Sequence, residues 1–559
     1  MIDNSAIADQ FSLLAKLMDI HGENSFKSKS YASAAFTIEK LPQALSELSQ
    51  DKIFKLKGIG ESTGKKVLEI IESGKLKSLK EYLEKTPEGV LEMMNVKGLG
   101  PKKINTLWKE LEIDTIEKLE KACLENQVAE KKGFGEKTQQ KILESISFQK
   151  ENTGRYLYAQ AEAFAEAFKS KISGKFINKK LEFTGPYRRQ IEIIDRLDFV
   201  TTISKEDLKN FLLSEQIQIE WEKEDSIEFN AENTLLIHFY LASEESFFYK
   251  LFETSASESF LETWRQQIDS NKTFSSEEEI FTEAGIHYIP PFLREREKVI
   301  DQAKNSSFEN IIQTSDIKGL IHSHSNWSDG AYTIEEMANA LISTGFEYMV
   351  ISDHSKAAYY ANGLSEERIR EQHLYIDELN KKLKPFKIFK SIECDILNDG
   401  SLDYDNKTLA SLDLVIVSIH SNLDMDEEKG MMRLMGAIAN PYTTILGHMT
   451  GRRLLKRKGY PINHQAIIDA CAKHDVVIEI NANPQRLDME WQWVDAAIEK
   501  NVLLSINPDA HTTEEFKNIK YGTLVAQKGG LIKEKNLSSF SLLEFEDFLK
   551  KTKERKGIS

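Results

Sequence analysis

This sequence of 559 residues has few cysteines and lacks long apolar runs. The three cysteines, Cys123, Cys394 and Cys471, form no C-x-x-C pair, which argues against a disulfide framework and a thiolate zinc site. No stretch approaches the roughly 20 apolar residues of a membrane span. The N-terminus lacks the basic start and apolar core of a secretory signal. We therefore expect a soluble, cytoplasmic protein.

The negative charge of the chain is unevenly distributed. The net charge is −16, yet residues 1–150 contain 24 lysines and arginines against 23 acidic residues. This almost neutral front can still present a local basic face, so the overall charge does not exclude nucleic-acid binding. The length predicts three or four folded units, at roughly 100–200 residues per domain.

Three short glycine turns recur in the first 150 residues, between segments with helical apolar spacing. They are Gly58-Ile-Gly60, Gly98-Leu-Gly100 and Gly133-Phe-Gly135. Glycines let the backbone approach a phosphate, which the N–H groups of a helix N-terminus then bind. Nearby lysines, including Lys66 and Lys103, add sequence-independent attraction. One such turn is usually a plain helix–helix connection, but three favour helix-hairpin-helix binding of the DNA backbone.

From residue 315 onward, apolar strands alternate with helical stretches, which predicts a parallel sheet. Histidines and carboxylates repeatedly stand at the predicted strand ends, where a (β/α) barrel carries its active site. They include six of the twelve histidines of the chain and comprise His322, His324, Asp329, His354, Glu393, His420, His448, Asp509 and His511. Mixed imidazole and carboxylate ligands suit Mn²⁺, Zn²⁺ or Fe²⁺, and nine ligands fit two or three ions.

Between these regions, residues 181–200 contain Thr184-Gly185-Pro186-Tyr-Arg188-Arg189 and then Arg196-Leu-Asp198. Together with the helix-hairpin-helix front, these motifs resemble the DNA polymerase X family. In that family a Gly-Ser-x-Arg-Arg turn holds the nucleotide phosphates, and three aspartates bind two Mg²⁺ ions. The resemblance also implies that Lys66 stands where some members have a Schiff-base lyase lysine, although we favour a phosphate contact for it.

The polymerase motifs depart from the family pattern where metal binding needs them. With Gly185 and Arg189 aligned, Arg196 stands at the first aspartate and only Asp198 remains. His238 stands where the third aspartate belongs, and the neighbouring Asp195 would face the other side of a strand. A cation in place of a carboxylate inverts the charge of a metal site. We therefore predict a retained fold with a silent polymerase site, in which we do not expect Mg²⁺ to bind.

The nine strand-end residues resemble the metal ligands of the PHP (polymerase and histidinol phosphatase) domain, which follows the polymerase part in bacterial members of the same family. By that resemblance His322, His324, Glu393 and Asp509 would hold one ion, and Glu393, His420 and His448 a second. Asp329, His354 and His511 would hold a third. Such ions activate a water for attack on a phosphate, which Arg452, or Arg453 beside it, would help to hold.

The sequence thus predicts a multidomain α+β chain with six segments. These are a helical domain (1–82), a fingers-like helix-hairpin-helix domain (83–150), a degenerate nucleotidyltransferase-like palm (151–245), a thumb (246–300), a linker (301–314) and a (β/α)7-type PHP barrel (315–559). The expected function is DNA repair by a 3′-5′ exonuclease, with abasic-site cleavage as a further activity in some members, on gapped, nicked or primer-template DNA. We expect a monomer. Alternatives are a still-active gap-filling polymerase, a small-molecule phosphatase with a DNA-binding front and a non-catalytic DNA-binding scaffold.

Overall fold

The structure is a computed structural model that describes residues 2–39, 41, 43–56, 58–231, 235–265 and 272–558. Lys57, beside the first glycine turn, lies outside the described residues, as do short parts of the segments predicted as palm and thumb. By its internal contacts the chain divides into two compact units, residues 1–153 and 154–559.

The first unit is helical throughout its described part. Its α-helices are α1 Asn4–Ile20, α2 Ser25–Glu39, α3 Gln50–Ile53, α4 Glu61–Ser73, α5 Lys77–Lys85, α6 Glu88–Glu92, α7 Pro101–Leu111, α8 Ile116–Leu124 and α9 Gly135–Asn152. The apolar residues of α1 that recur every three or four positions, such as Ile7, Phe11 and Leu14, are buried in its core. Gly60 and Gly100 are the N-cap residues of α4 and α7.

The second unit begins with seven strands, which form a two-stranded sheet and a five-stranded mixed sheet. Its strands and helices are β1 Tyr156–Leu157, α10 Tyr158–Lys175, β2 Leu181–Thr184, α11 Gly185–Arg188, β3 Ile193–Ile194, β4 Arg196–Thr201, α12 Lys205–Ser214, β5 Trp221–Lys223, β6 Ser226–Ala231 and β7 Leu235–Leu241. The strand order of the five-stranded sheet is β2-β4-β7-β6-β5, and β4 and β7 run parallel. Because of this register Asp198 lies beside His238 on the neighbouring strand.

Four short helices follow, named α13 Phe247–Thr254, α14 Glu258–Trp264, α15 Glu277–Glu283 and α16 Lys298–Ala303. Their apolar faces share a core that includes Phe252, Trp264 and Phe281. Ser257 caps α14, since its side chain accepts a hydrogen bond from the backbone N–H of Phe260.

The remaining residues form a strand–helix region. It consists of β8 Gly319–Ser323, α17 Ile334–Ser343, β9 Tyr348–Ile351, α18 Glu366–Lys382, β10 Lys387–Lys390, β11 Glu393–Asp395, α19 Asn406–Ala410, β12 Ile416–Ser418, α20 Glu427–Ile438, β13 Ile445–Leu446, α21 His464–Lys473, β14 Val477–Asn481, α22 Trp491–Glu499, β15 Leu504–Asn507, α23 Ile519–Lys528 and α24 Leu542–Lys556.

The strands of this region pair in parallel, as predicted, in sheets of order β10-β9-β8 and β11-β12-β13-β14-β15. Isolated parallel bridges join the two sheets, between His354 and Glu393 and between Ser323 and Ala510. The prediction of parallel strands alternating with helices is confirmed. A single continuous barrel stays a prediction, because among the described residues the ladders form two sheets joined by isolated bridges.

Candidate metal centre and nucleotide-binding turn

The strand ends of the strand–helix region bring the predicted ligands together. His322 lies in β8, His354 follows β9, His420 follows β12 and Asp509 follows β15. Parallel strands end at the same edge of a sheet, so side chains far apart in the sequence meet there. We call the nine predicted ligands the histidine–carboxylate centre.

The backbone of the centre is strained at two ligands. His322 and Asp509 have φ angles of +66° and +52°, in the left-handed region that residues with a Cβ atom rarely adopt. Backbone hydrogen bonds from Ala510 N to His322 O, at 3.3 Å, and from His324 N to Ala510 O, at 2.8 Å, hold both conformations. Such strain costs about 1–3 kcal/mol per residue and is typical of functional sites.

Five imidazole rings surround the buried carboxylate of Glu393. The nitrogen–oxygen distances from Glu393 are 3.0 Å to His448, 3.1 Å to His354, 3.2 Å to His420, 3.4 Å to His322 and 3.6 Å to His324. Within the described residues, both carboxylate oxygens and the Nε2 atoms of His322 and His448 are buried without a hydrogen-bond partner. Buried polar atoms are normally satisfied, and a bound cation would satisfy these, so the residues fit a metal site.

The described residues contain three sets of possible metal ligands. Within each set, the ligand atoms lie within 4.8 Å of one another. The sets are His322, His324, Glu393 and Asp509; His354, Glu393 and His420; and His324, Asp329, His354 and His511. The first set contains the residues assigned above to one ion. The second contains His354 where the resemblance implied His448, and the third includes His324 in addition to the residues implied. Because the sets share Glu393, His324 and His354, the centre is suited to neighbouring ions.

Two buried carboxylates that the sequence reasoning did not single out orient these histidines. Oε2 of Glu479 lies 2.6 Å from Nδ1 of His322, and Oδ1 of Asp395 lies 2.8 Å from Nδ1 of His420. A carboxylate on the second ring nitrogen fixes the tautomer and turns the other nitrogen toward a metal. Their positions in buried strands were the available signal, but no spacing pattern marked them.

The carboxylates also control the charge of the rings. Burial lowers the pKa of His420, but Glu393 and Asp395 outweigh burial and raise it to about 10. Burial acts against ionisation of Glu393, yet the surrounding imidazolium groups hold the pKa of this carboxyl well below its usual range. The centre therefore carries negative charge that protons on the histidines compensate, a role that divalent cations can take over.

In the structure the guanidinium of Arg452, the predicted phosphate ligand, is bound to a neighbouring segment of the chain. Its guanidinium donates to the backbone carbonyls of Arg486 and Leu487 and to Glu490, so its donors are used in holding a loop. Arg453 donates to Gln485. Arg486 was not predicted, although its Nε lies 3.4 Å from Oδ2 of Asp509. The Arg486 guanidinium thus borders the centre.

At the predicted nucleotide turn, both arginines pair with acidic side chains from the segment of residues 277–295. Arg188 donates to Glu277 at 2.5 Å, and Nε of Arg189 donates to Glu295 at 2.5 Å. Glu277 also accepts from the buried Arg294 at 2.7 Å. Guanidinium groups paired in this way are not free to bind phosphates.

The residues predicted at the polymerase metal positions of the mixed sheet also contact their protein neighbours. Nε of Arg196 donates to Oδ2 of Asp198 at 3.0 Å. Gly185 has φ +62°, and a Cβ atom there would lie 2.0 Å from the same oxygen, so the turn packs directly on Asp198. Burial lowers the pKa of His238 to about 4, which leaves its ring neutral at physiological pH. Asp195 is exposed.

In the first unit the glycine turns have the backbone conformation that glycine allows. Gly58, Gly98 and Gly133 have φ angles of +87°, +94° and +95°, and Gly135 is also positive at +71°. Amide groups at the start of α4 and α7 follow the first two turns.

The two singled-out lysines of this unit make local contacts. Nζ of Lys66 donates to Oγ of Ser78 at 2.8 Å, and Nζ of Lys103 donates to the carbonyl of Gly98 at 3.2 Å. Lys103 therefore lies at the glycine turn that precedes its own helix.

The fold and the site define a helical-hairpin unit joined in one chain to a unit with a histidine–carboxylate centre. Residues 2–76 match the family model of a helix-hairpin-helix domain, and residues 90–147 match that of a SAM-like helix-hairpin-helix tandem. None of the described helices is both long and apolar enough to cross a membrane.

Relatives match either nearly the whole chain or its C-terminal part. The chain is 34% identical to the DNA polymerase/3′-5′ exonuclease PolX of Bacillus subtilis (strain 168), over 96% of this chain and 98% of the relative. It is 26% identical to a probable phosphatase of Thermoanaerobacter sp. (strain X514), over 42% of this chain and 96% of the relative, in the C-terminal part. The chain therefore belongs to the PolX family, as the sequence predicted.

Proposed function

We propose that this protein removes nucleotides from DNA 3′ ends at the histidine–carboxylate centre, as a metal-dependent 3′-5′ exonuclease, and that its mixed sheet does not support DNA synthesis. The observation that carries the proposal is the convergence of histidines on the buried carboxylate of Glu393. At the predicted polymerase site, by contrast, Arg196 forms an ion pair with Asp198. The exonuclease named for the Bacillus relative is in keeping with it.

The nine residues of the centre would hold two or three divalent ions, with Mn²⁺, Zn²⁺ or Fe²⁺ suited to the mixed ligands. Ions in such a site would lower the pKa of a bound water, so that hydroxide is available as the nucleophile, and would neutralise the charge of the phosphate. Glu479 and Asp395 fix the ring orientations of His322 and His420 through their Nδ1 atoms. In this account Arg486, not Arg452, positions the scissile phosphate, since its guanidinium borders Asp509.

The mixed sheet acts in this proposal as a scaffold. Two-metal nucleotide transfer needs several carboxylates around the ions, and Arg196 and His238 stand in their places. Arg188 and Arg189, which would bind nucleotide phosphates, are paired with glutamates. Restoring one residue would not restore the site.

The helix-hairpin-helix unit would deliver the DNA. Glycine turns at Gly58–Gly60, Gly98–Gly100 and Gly133–Gly135 would bind phosphates without reading sequence. The proposed substrates are the ends of gapped, nicked and primer-template DNA. We propose that the protein acts as a monomer and has the domain limits given above. Cleavage at abasic sites is a second candidate activity of the same centre.

The experiment is a hydrolysis assay with a 5′-labelled oligonucleotide and Mn²⁺. The native protein should shorten the strand in one-nucleotide steps, and His322→Ala with His324→Ala should abolish shortening. His464→Ala is the matched control, because His464 stacks on Trp493 outside the centre. Lack of shortening by the native protein, with hydrolysis of small phosphomonoesters, would overturn the proposal in favour of a small-molecule phosphatase.

A further inference from the structure

Two adjacent tyrosines stand exposed on a loop that leaves and rejoins the histidine–carboxylate centre. The side chain of Tyr359 is 86% exposed and that of Tyr360 is 58% exposed. Their ring centroids are 6.0 Å apart and their planes meet at 78°. No part of the catalytic proposal above uses them.

The ends of this loop are fixed to a metal ligand. The loop starts directly after His354, and Ser355 forms a parallel bridge with Leu364, whose N–H donates to the His354 carbonyl at 2.8 Å. A Cβ atom at Gly363 would lie 1.9 Å from the carbonyl oxygen of Ser355, so the two ends touch closely. The tyrosines therefore project from a loop that is closed at the ligand itself.

Further hydrogen bonds connect the loop to the segment that carries Asp329. Nδ2 of Asn362 donates to the carbonyls of Trp327 and Ser328, at 3.0 and 3.3 Å. On the other side, the Ala357 N–H donates to Asp403 at 2.6 Å. A loop anchored on both sides presents its exposed rings in a defined position, which lowers the entropic cost of binding.

The Tyr360 ring is within electrostatic reach of the centre. Partial burial together with the charges of Asp395, Glu393 and Asp329 raises the pKa of Tyr360 to about 12. The phenol therefore stays neutral at physiological pH, and the ring is an apolar face beside a strongly charged site.

We propose that Tyr359 and Tyr360 are positioning residues that stack on the base at the 3′ end of the DNA strand and so place its terminal phosphodiester in the centre. The inference rests on the proposed exonuclease function. Stacking of a base on an aromatic side chain contributes about 1–3 kcal/mol and tolerates any base, as removal of successive nucleotides requires. The edge-to-face arrangement lets one ring stack while the other borders the base.

Binding is tested without hydrolysis, with an oligonucleotide that carries 2-aminopurine as its 3′-terminal base and with a chelator present. Stacking should quench the fluorescence of 2-aminopurine on addition of the native protein. The Tyr359→Ala plus Tyr360→Ala variant should lose this quenching, and Tyr359→Phe plus Tyr360→Phe should retain it. Equal quenching by the alanine and native proteins would overturn the inference.

Kinetics then separate the two proposals. With Mn²⁺, native protein should show a kcat/KM about tenfold or more higher for an oligonucleotide ending in a normal nucleotide than for one ending in a baseless tetrahydrofuran residue. The alanine pair should lose this preference through KM, and the phenylalanine pair should keep it. Cleavage of both substrates by the native protein at equal rates overturns the stacking role alone, whereas no cleavage of either overturns the exonuclease.

Discussion

Nε of Arg196 donates a hydrogen bond of 3.0 Å to Oδ2 of Asp198, so two residues predicted at the polymerase metal positions pair with one another. The carboxylate is buried, and the arginine is its ion-pair partner. A buried charge that loses its partner is strongly destabilising. Arg196 therefore offsets part of the cost of burying the Asp198 carboxylate.

The Asp198→Asn variant should be more stable than the native protein at pH 7. Burial outweighs Arg196 and raises the pKa of Asp198 to about 6, above its value of about 3.9 in the unfolded chain. The native state therefore binds more protons between these values, and stability falls as pH rises through the window. We expect a gain of about 1–3 kcal/mol at pH 7, shrinking to near zero at pH 4.

Denaturant titration of both proteins at several pH values measures this difference. The same titrations with added Mg²⁺ test whether Asp198 binds the ion. If Asp198 ligated Mg²⁺, the ion would stabilise the native protein but not the asparagine variant, contrary to the account.

Glu277 is a structural acid that fixes the nucleotide turn to the helices that follow it. It pairs with Arg188 and with the fully buried Arg294. Burial opposes its ionisation, but the two guanidinium groups prevail and lower its pKa to about 2. Glu277→Gln should destabilise the protein by about 3–5 kcal/mol at pH 7. The exposed neighbour Glu278→Gln is the control.

The pH dependence of this effect has a defined sign. The folded-state pKa of Glu277 is depressed, so its contribution is fully present above the unfolded value of about 4.3 and is lost as pH falls toward 2. Denaturation curves of the native and Glu277→Gln proteins should converge over that range. A constant difference would show that the loss arises from packing and not from charge.

Glu479→Gln tests the orientation of His322. The carboxylate holds Nδ1 of His322 at 2.6 Å and also accepts hydrogen bonds from Asn481 and Asn507. Loss of such a partner typically weakens metal binding 10–100-fold. Competition with a fluorescent chelator measures Mn²⁺ affinity, and the exposed Glu534→Gln serves as the control. An unchanged Mn²⁺ affinity would show that Glu479 does not orient His322 for metal binding.

Lys528 connects the strand–helix region with the nucleotide turn. Its buried Nζ donates to the carbonyl of Arg189 at 3.1 Å. Burial lowers its pKa to about 8, below about 10.4 in the unfolded chain. The unfolded state therefore binds more protons between pH 8 and 10.4, and stability should rise with pH in that window, by up to about 3 kcal/mol.

The Lys528→Met variant should lack this rise. Urea denaturation at pH 7.5 and 9.5 measures it, with the exposed Lys517→Met as the control. A rise that persists in Lys528→Met would assign the effect to other groups.

The local parts of this structure could be predicted from the sequence, because their signals lie within a few residues. His322 and His324 form one motif, and alternating strands and helices place further ligands at strand ends. The contacts of Glu479 and Asp395 could not be predicted. Each depends on the register of separate strands, and a lone carboxylate in an apolar strand has no diagnostic spacing.

The assignment of the phosphate-binding arginine shows the same limit. The sequence favours Arg452 because it follows the predicted ligand His448, but its donors bind the backbone carbonyls of Arg486 and Leu487. The direction of a long side chain is set by the tertiary fold, which sequence proximity does not specify. The sequence shows Arg196 and His238 at the predicted polymerase metal positions, but it does not specify the hydrogen bond from Arg196 to Asp198.

The most direct test of the account follows the length of a labelled primer on a gapped template, with Mn²⁺ and all four nucleotides present. The account predicts shortening of the primer by the native protein, no change with Glu393→Gln, and no product longer than the starting primer in either reaction. Extension by the native protein or by Glu393→Gln would contradict the central claim, because nucleotides would then be added at the site that Arg196 and His238 occupy.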